Sequence, residues 1–127
     1  MSKTYKTSKS NRTLVSNITR ALSLGHENHI GRIGIMFSIK HQADEVDYDL
    51  ILKDSGGKEY SSSVLFGENE ALYREIIAYS HNTAVNDPKI DNYIKYHLDR
   101  GIELLAELIF EEQTVVSLEE FVEEYCL

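Results

Sequence analysis

The chain has 127 residues, 42% hydrophobic and 27% charged, a balance that excludes wholesale disorder and suits one domain over residues 1–127. Its net charge of −8 is unevenly spread: residues 1–40 carry seven basic groups against Glu27 alone, a balance of +6, and the remainder carries −14. No apolar run approaches the roughly 18–20 residues that cross a bilayer, MSKTYKTSKSNR has no apolar h-region, and the single Cys126 excludes an internal disulfide, so a cytoplasmic protein with no membrane partner is expected.

The N-terminal stretch KTYKT is short, polar and β-compatible, and Ser8 or Ser10 can cap the helix that follows. Leu14, Val15, Ile18, Ala21 and Leu22 form one apolar stripe at helical period, and Gly25 is expected to stop that helix. Asn28 is the expected N-cap of a second helix, on which Ile30, Ile33, Met36 and Phe37 share a face. Gly31 and Gly34 each cost roughly 1 kcal/mol inside a helix, and their use is close approach of another helix. VDYDLILKD, Gly56-Gly57 and KEYSSSVLF then suggest two short strands around a turn, or a loop with β character. Helical pattern returns at Asn69, with Leu72, Tyr73, Ile76 and Ile77 on one face. Asp87-Pro88 starts the longest helix, along which Ile90, Ile94, Leu98, Ile102 and Leu105 run. Ser117 and Glu120 form a capping box for a last short helix ending at Tyr125. The expected fold is mainly α: a basic strand–helix–helix unit (1–40), short strands or loop (41–68) and an acidic helical part (69–127).

Catalytic patterns are not found. His26, His29 and His41 lack the carboxylate or cysteine spacing of a metal site, so exposed histidines near helix ends are the plainer reading. His97, one turn before Gly101, suits a packed or hydrogen-bonded histidine better than a catalytic one. SGGKEYS lacks the glycine spacing of a phosphate loop, and GRIG is no dinucleotide fingerprint. Glutamates 119, 120, 123 and 124 would raise the Cys126 thiol rather than activate it. Without converging acid, base and nucleophile, no enzyme, metal or cofactor is expected. The order strand, helix, glycine turn, helix is that of ribbon–helix–helix DNA binders, which pair strands between chains into a ribbon for the major groove. It is equally an order in which amphipathic helices pack in many other folds.

LSLGHENHIGRIGIMFSIK (22–40), with Asn28, Arg32 and Ser38 in register, KDSGGKEY and SVLFGE up to Gly67, and YIKYHLDRGIELL, with His97, Gly101, Ile102 and Leu105, together resemble the DndE family, the small E component of bacterial DNA phosphorothioation systems. The resemblance covers roughly residues 3–110. The family's Thr-Pro before the Asn is His26-Glu27 here. The resemblance implies a non-catalytic, mostly helical homotetramer that binds duplex DNA, with a preference for nicked duplex. It also implies work beside a cysteine desulfurase, a sulfurtransferase and an ATPase. The positions it implies for phosphate contact are Lys3, Lys6, Lys9 and Arg12, followed by Arg20 and Arg32. Two other functions compete: an oligomeric adaptor that docks partner subunits through its acidic helices, and a ribbon–helix–helix regulator of a specific operator.

Overall fold

The computed structural model describes residues 3–40 and 52–111, with the isolated positions 119 and 123. In chain order they form β1 (Thr4–Lys6), α1 (Lys9–Ala21), α2 (Asn28–Lys40), β2 (Glu59–Ser61), α3 (Ser62–Phe66), a 3₁₀ turn (Gly67–Asn69), α4 (Glu70–Ser80), α5 (Ile90–Ala106) and a π-helical turn (Glu107–Glu111). The protein is mainly α with a two-stranded antiparallel sheet. His41, the expected strand before Leu52, the Ser117–Glu120 capping box and Cys126 lie outside the described residues.

Ser8 caps α1, accepting the Asn11 amide at 3.2 Å, and Val15, Ile18 and Leu22 are buried as the stripe predicts. The helix does not run on to Gly25. It ends at Ala21, where Ser23 adopts the left-handed conformation (φ 54°). Ser23 N–H then bonds Arg20 O and Leu24 N–H bonds Thr19 O, a Schellman closure that uses serine where glycine is usual. On α2 the buried face is shifted from the expected one: Ile30, Ile35, Phe37 and Ser38 are buried, whereas Met36 is exposed. The helix begins at Asn28 itself.

The glycines of α2 explain that shift. A Cβ on Gly101 would lie 1.9 Å from Gly34 O, so α2 and α5 cross with their backbones in contact. Gly31 instead gives room to side chains, the Tyr60 ring and Leu65. Around this crossing Ile90, Ile94, Leu98, Ile102 and Leu105 of α5 are fully buried. α5 begins at Ile90, later than Asp87-Pro88 suggests: Lys89 is its N-cap, with no side-chain cap bond, and the Asp87 carboxylate accepts the Lys89 amide at 2.8 Å in the turn before the helix. On α4 the core face is Tyr73, Ile77 and Ala78, and Leu72 points to solvent.

β1 pairs within the chain, with Tyr5 opposite Tyr60 and Lys6 opposite Glu59. The order strand–helix–turn–helix is therefore present, with one edge of its strand occupied by β2. The segment KEYSSSVLF gives only three strand residues because Ser61 accepts the Val64 amide at 3.2 Å and caps α3.

Candidate nucleic-acid interface

The six basic residues singled out from sequence do not form one patch. Lys6 ends β1, and Lys9 and Arg12 follow on the first turn of α1, one helical step apart on neighbouring positions. All three are exposed, and among the described residues their side chains make no ion pair or hydrogen bond. Arg20 sits near the other end of α1 and donates to Asn17 Oδ1. Lys3 is tied to Asp91 at 2.5 Å. Arg32 donates to the carbonyls of Leu65 and Val64 at 2.8 and 2.7 Å, closing the end of α3.

What holds the basic segment in place was not singled out from sequence. Asp91, Lys95, Asp99 and Glu103 recur every fourth residue of α5 and so form a polar stripe beside its apolar one. Asp99, 4% exposed, accepts the Ser8 amide and the Asn11 amide group on Oδ1 at 2.9 and 2.8 Å. Lys95 donates to Lys6 O, Asp54 O and Asp99 Oδ2, so one ammonium ties the end of β1, the loop before β2 and α5. Asp54 in turn accepts the Lys9 and Gly56 amides, and these hydrogen bonds hold its carboxyl below the usual range. Glu103 pairs with Lys53. The opposite charges at four-residue spacing on Asp91, Lys95 and Asp99 were the available signal.

Gly57 completes the seat. Its amide bonds Thr7 O at 2.9 Å, and a Cβ there would fall 2.1 Å from Ser8 O. The glycine pair thus serves backbone contact with the start of α1. Beside it lies an open groove of about 510 Å³, whose walls include Lys3, Tyr5, Lys6, Asp91 and Lys95. In its wall Asp91 accepts Tyr5 Oη at 2.8 Å and Arg74 at 3.1 Å on Oδ1, and Lys3 on Oδ2. Partial burial pushes the Asp91 carboxyl up, but the bonds from Lys3, Tyr5 and Arg74 together outweigh it and hold it down. Burial, with Asp91 beside it, pushes the Tyr5 phenol well up, so it stays a donor.

The α2 start carries Glu27, which accepts from Ser16 Oγ at 2.9 Å and lies 3.5 Å from Lys58. A carboxylate already stands where an anion would approach that helix.

The second polar centre is internal. Arg100 donates to Ser38 O and Oγ at 2.7 and 3.0 Å, Ser38 Oγ meets His97 Nδ1 at 2.7 Å, and His97 Nε2 meets His81 Nε2 at 2.7 Å. With Arg100 donating, the serine hydroxyl gives its proton to His97 Nδ1, and His97 then donates to His81. His81 stacks on Tyr93 at 3.9 Å, and its buried Nδ1 has no partner among the described residues. Burial pushes His97 down to about 3, with His81 and Arg100 adding to the shift, and burial also lowers His81. Both rings are therefore neutral, and the hydrogen-bonded packing role expected for His97 is the one observed.

Among the described residues no group of three or more His, Cys, Asp or Glu side chains converges as a metal site, and no helix is long and apolar enough to cross a membrane. The fold is that of a small helical protein in which Lys6, Lys9 and Arg12 stand exposed at the end of β1 and the first turn of α1. The family model described as DNA sulphur modification protein DndE matches residues 4–111, and the chain belongs to that family. It is thereby placed in DNA sulfur modification. No curated protein matches the chain by sequence.

Proposed function

We propose that this protein is a non-catalytic DNA-binding subunit of a DNA phosphorothioation system, holding the phosphate backbone with Lys6, Lys9 and Arg12. The observation that supports the reading is that these three exposed cations follow one another along β1 and the first turn of α1, while Asp54, Asp91 and Asp99 accept internal donors and only Glu59, opposite Lys6, adds an unengaged acid beside them among the described residues. Screening confines each surface field to about 10 Å at 0.1 M salt, so an acidic body does not cancel a basic edge. Lys3 and Arg20 flank that edge; Arg32 contributes charge while its donors serve α3. Contacts of this kind give sequence-independent, salt-dependent affinity.

The proposal extends to a preference for nicked duplex, to a homotetramer that multiplies a weak patch, and to work beside sulfurtransferase and ATPase subunits in the bacterial cytoplasm. Fluorescence anisotropy with intact, nicked and single-stranded DNA of one sequence tests it. Duplex binding should weaken by roughly two decades between about 50 and about 200 mM salt. Flat, weak signal on all three would end the DNA-binding reading. A second reading, an adaptor, is favoured by α4, where Leu72 and Tyr79 stand exposed beside Glu75. It predicts retention of partner subunits without salt-dependent DNA binding.

A further inference from the structure

The groove beside β1 contains its own anion. Asp91 is held from behind on Oδ1 by the buried Tyr5 and the part-buried Arg74, two donors that anchor this side of the carboxylate. Its Oδ2 takes Lys3, whose side chain is about half exposed. The two sides of the carboxylate thus differ: one is anchored, the other holds a cation that can leave.

We propose that Asp91 is a built-in competitor for the phosphate backbone, which occupies Lys3 until duplex DNA displaces it. This rests on the DNA-binding reading above and concerns how that site is regulated. A half-exposed lysine–carboxylate pair is worth at most about fivefold in an equilibrium constant, weak enough for a phosphate oxyanion to exchange with the carboxylate. Lys3 is then a reserve contact, added when DNA is already seated on Lys6, Lys9 and Arg12. The carboxylate keeps the free protein from presenting its full basic edge to every polyanion.

The test is a double-mutant cycle in the full chain, read by anisotropy with one duplex. Asp91→Asn keeps an oxygen acceptor for Tyr5 and Arg74 but removes the charge facing Lys3. It should tighten binding by about three- to fivefold, the most an exposed pair of this kind supplies. The salt slope should stay close to that of the parent, because Lys3 reaches phosphate in both complexes. Lys3→Ala should cost under about twofold in the parent chain and should take back the whole gain in the Asp91→Asn background. Glu107→Gln, about 24 Å away just past the end of α5, changes net charge equally and should produce less than half that gain.

Asp91→Ser is measured beside Asp91→Asn, each checked for a cooperative thermal melt. Lysine acetylation of the parent chain, read by mass spectrometry, gives a measure without substitution: Lys3 should react more slowly than Lys6 in the absence of DNA. Unaltered or weaker binding by Asp91→Asn, a gain that survives loss of Lys3, an equal gain in Glu107→Gln, or equal acetylation would each overturn the proposal. If neither the parent chain nor the variant binds duplex in a salt-dependent way, the DNA-binding reading itself fails. If the parent chain binds and the variant is no tighter, only the role of Asp91 falls.

Discussion

Ser23 carries the left-handed turn after α1, a conformation that costs an L-residue roughly 1 kcal/mol and glycine almost nothing. Ser23→Gly is therefore expected to stabilise the fold by about 0.5–1 kcal/mol, read as a rise in the urea midpoint with unchanged slope. The sequence pointed to Gly25 because glycine usually supplies this conformation. The serine at that position carries no local mark of it, and the two Schellman hydrogen bonds decide it. His97 makes the opposite case: its place on α5 was legible, its consequence was not. In the unfolded chain it titrates near 6.5, and in the fold near 3. Below pH 6.5 the unfolded state therefore binds the extra proton. Stability should be full above that pH and should fall by up to about 1.4 kcal/mol for each pH unit toward about 3. His97→Gln should flatten this slope between about pH 6 and about pH 4.5, whatever it does to stability at neutral pH. An equally steep decline in that variant would remove His97 as the cause.

Two elements, α2 and α5, decide the architecture, and their contact is made of backbone at Gly34 and Gly101. Gly101→Ala should cost about 3 kcal/mol or more, because a methyl 1.9 Å from a helix carbonyl forces the two helices apart. The presence of glycine in two helix interiors was enough to foresee a close approach; which helix approaches was not, since that pairing spans 67 residues of chain between Gly34 and Gly101. The apolar stripe of α5 was read correctly because one face of a helix repeats locally. On α2 and α4 the same reasoning placed Met36 and Leu72 inside, where the structure exposes them. Both helices are touched from more than one side, and the buried arc is set by those neighbours rather than by period alone. The polar stripe of α5 belongs to this scale as well. Asp99→Ala should cost about 3 kcal/mol by leaving Lys95 short of a buried carboxylate and the Ser8 amide unpaired. It should also loosen α1 at its first turn, read as faster amide exchange there than in α5.

At the scale of the whole molecule, charge is sorted rather than balanced. The +6 of the first forty residues is partly consumed, by Lys3 on Asp91 and Arg32 on α3; Lys6, Lys9 and Arg12 stand on the edge formed by β1 and the start of α1, and Arg20 and Lys40 lie at the far ends of α1 and α2. Lys6→Ala with Lys9→Ala should lose at least about tenfold in duplex affinity and flatten the salt slope by about two contacts. Arg32→Ala should instead act on stability, since it orphans two helix-end carbonyls. Unchanged DNA binding in the double variant would remove the assigned site while leaving family membership untouched.

Local information was enough to determine the mainly helical class, the cap at Ser8, the buried face of α5, the uneven charge and the resemblance to the family to which the chain belongs. These depend on spacing within a turn or two of helix, or on residues in fixed order. Only the tertiary structure decided which cations are free and which are spent, that β1 pairs with β2, and that Asp91, Lys95 and Asp99 seat the basic segment. Those pairings join groups separated by 88 residues for Lys3 and Asp91, and 91 for Ser8 and Asp99. At such separation the partner is chosen by how the helices pack, and no pattern along the chain records it.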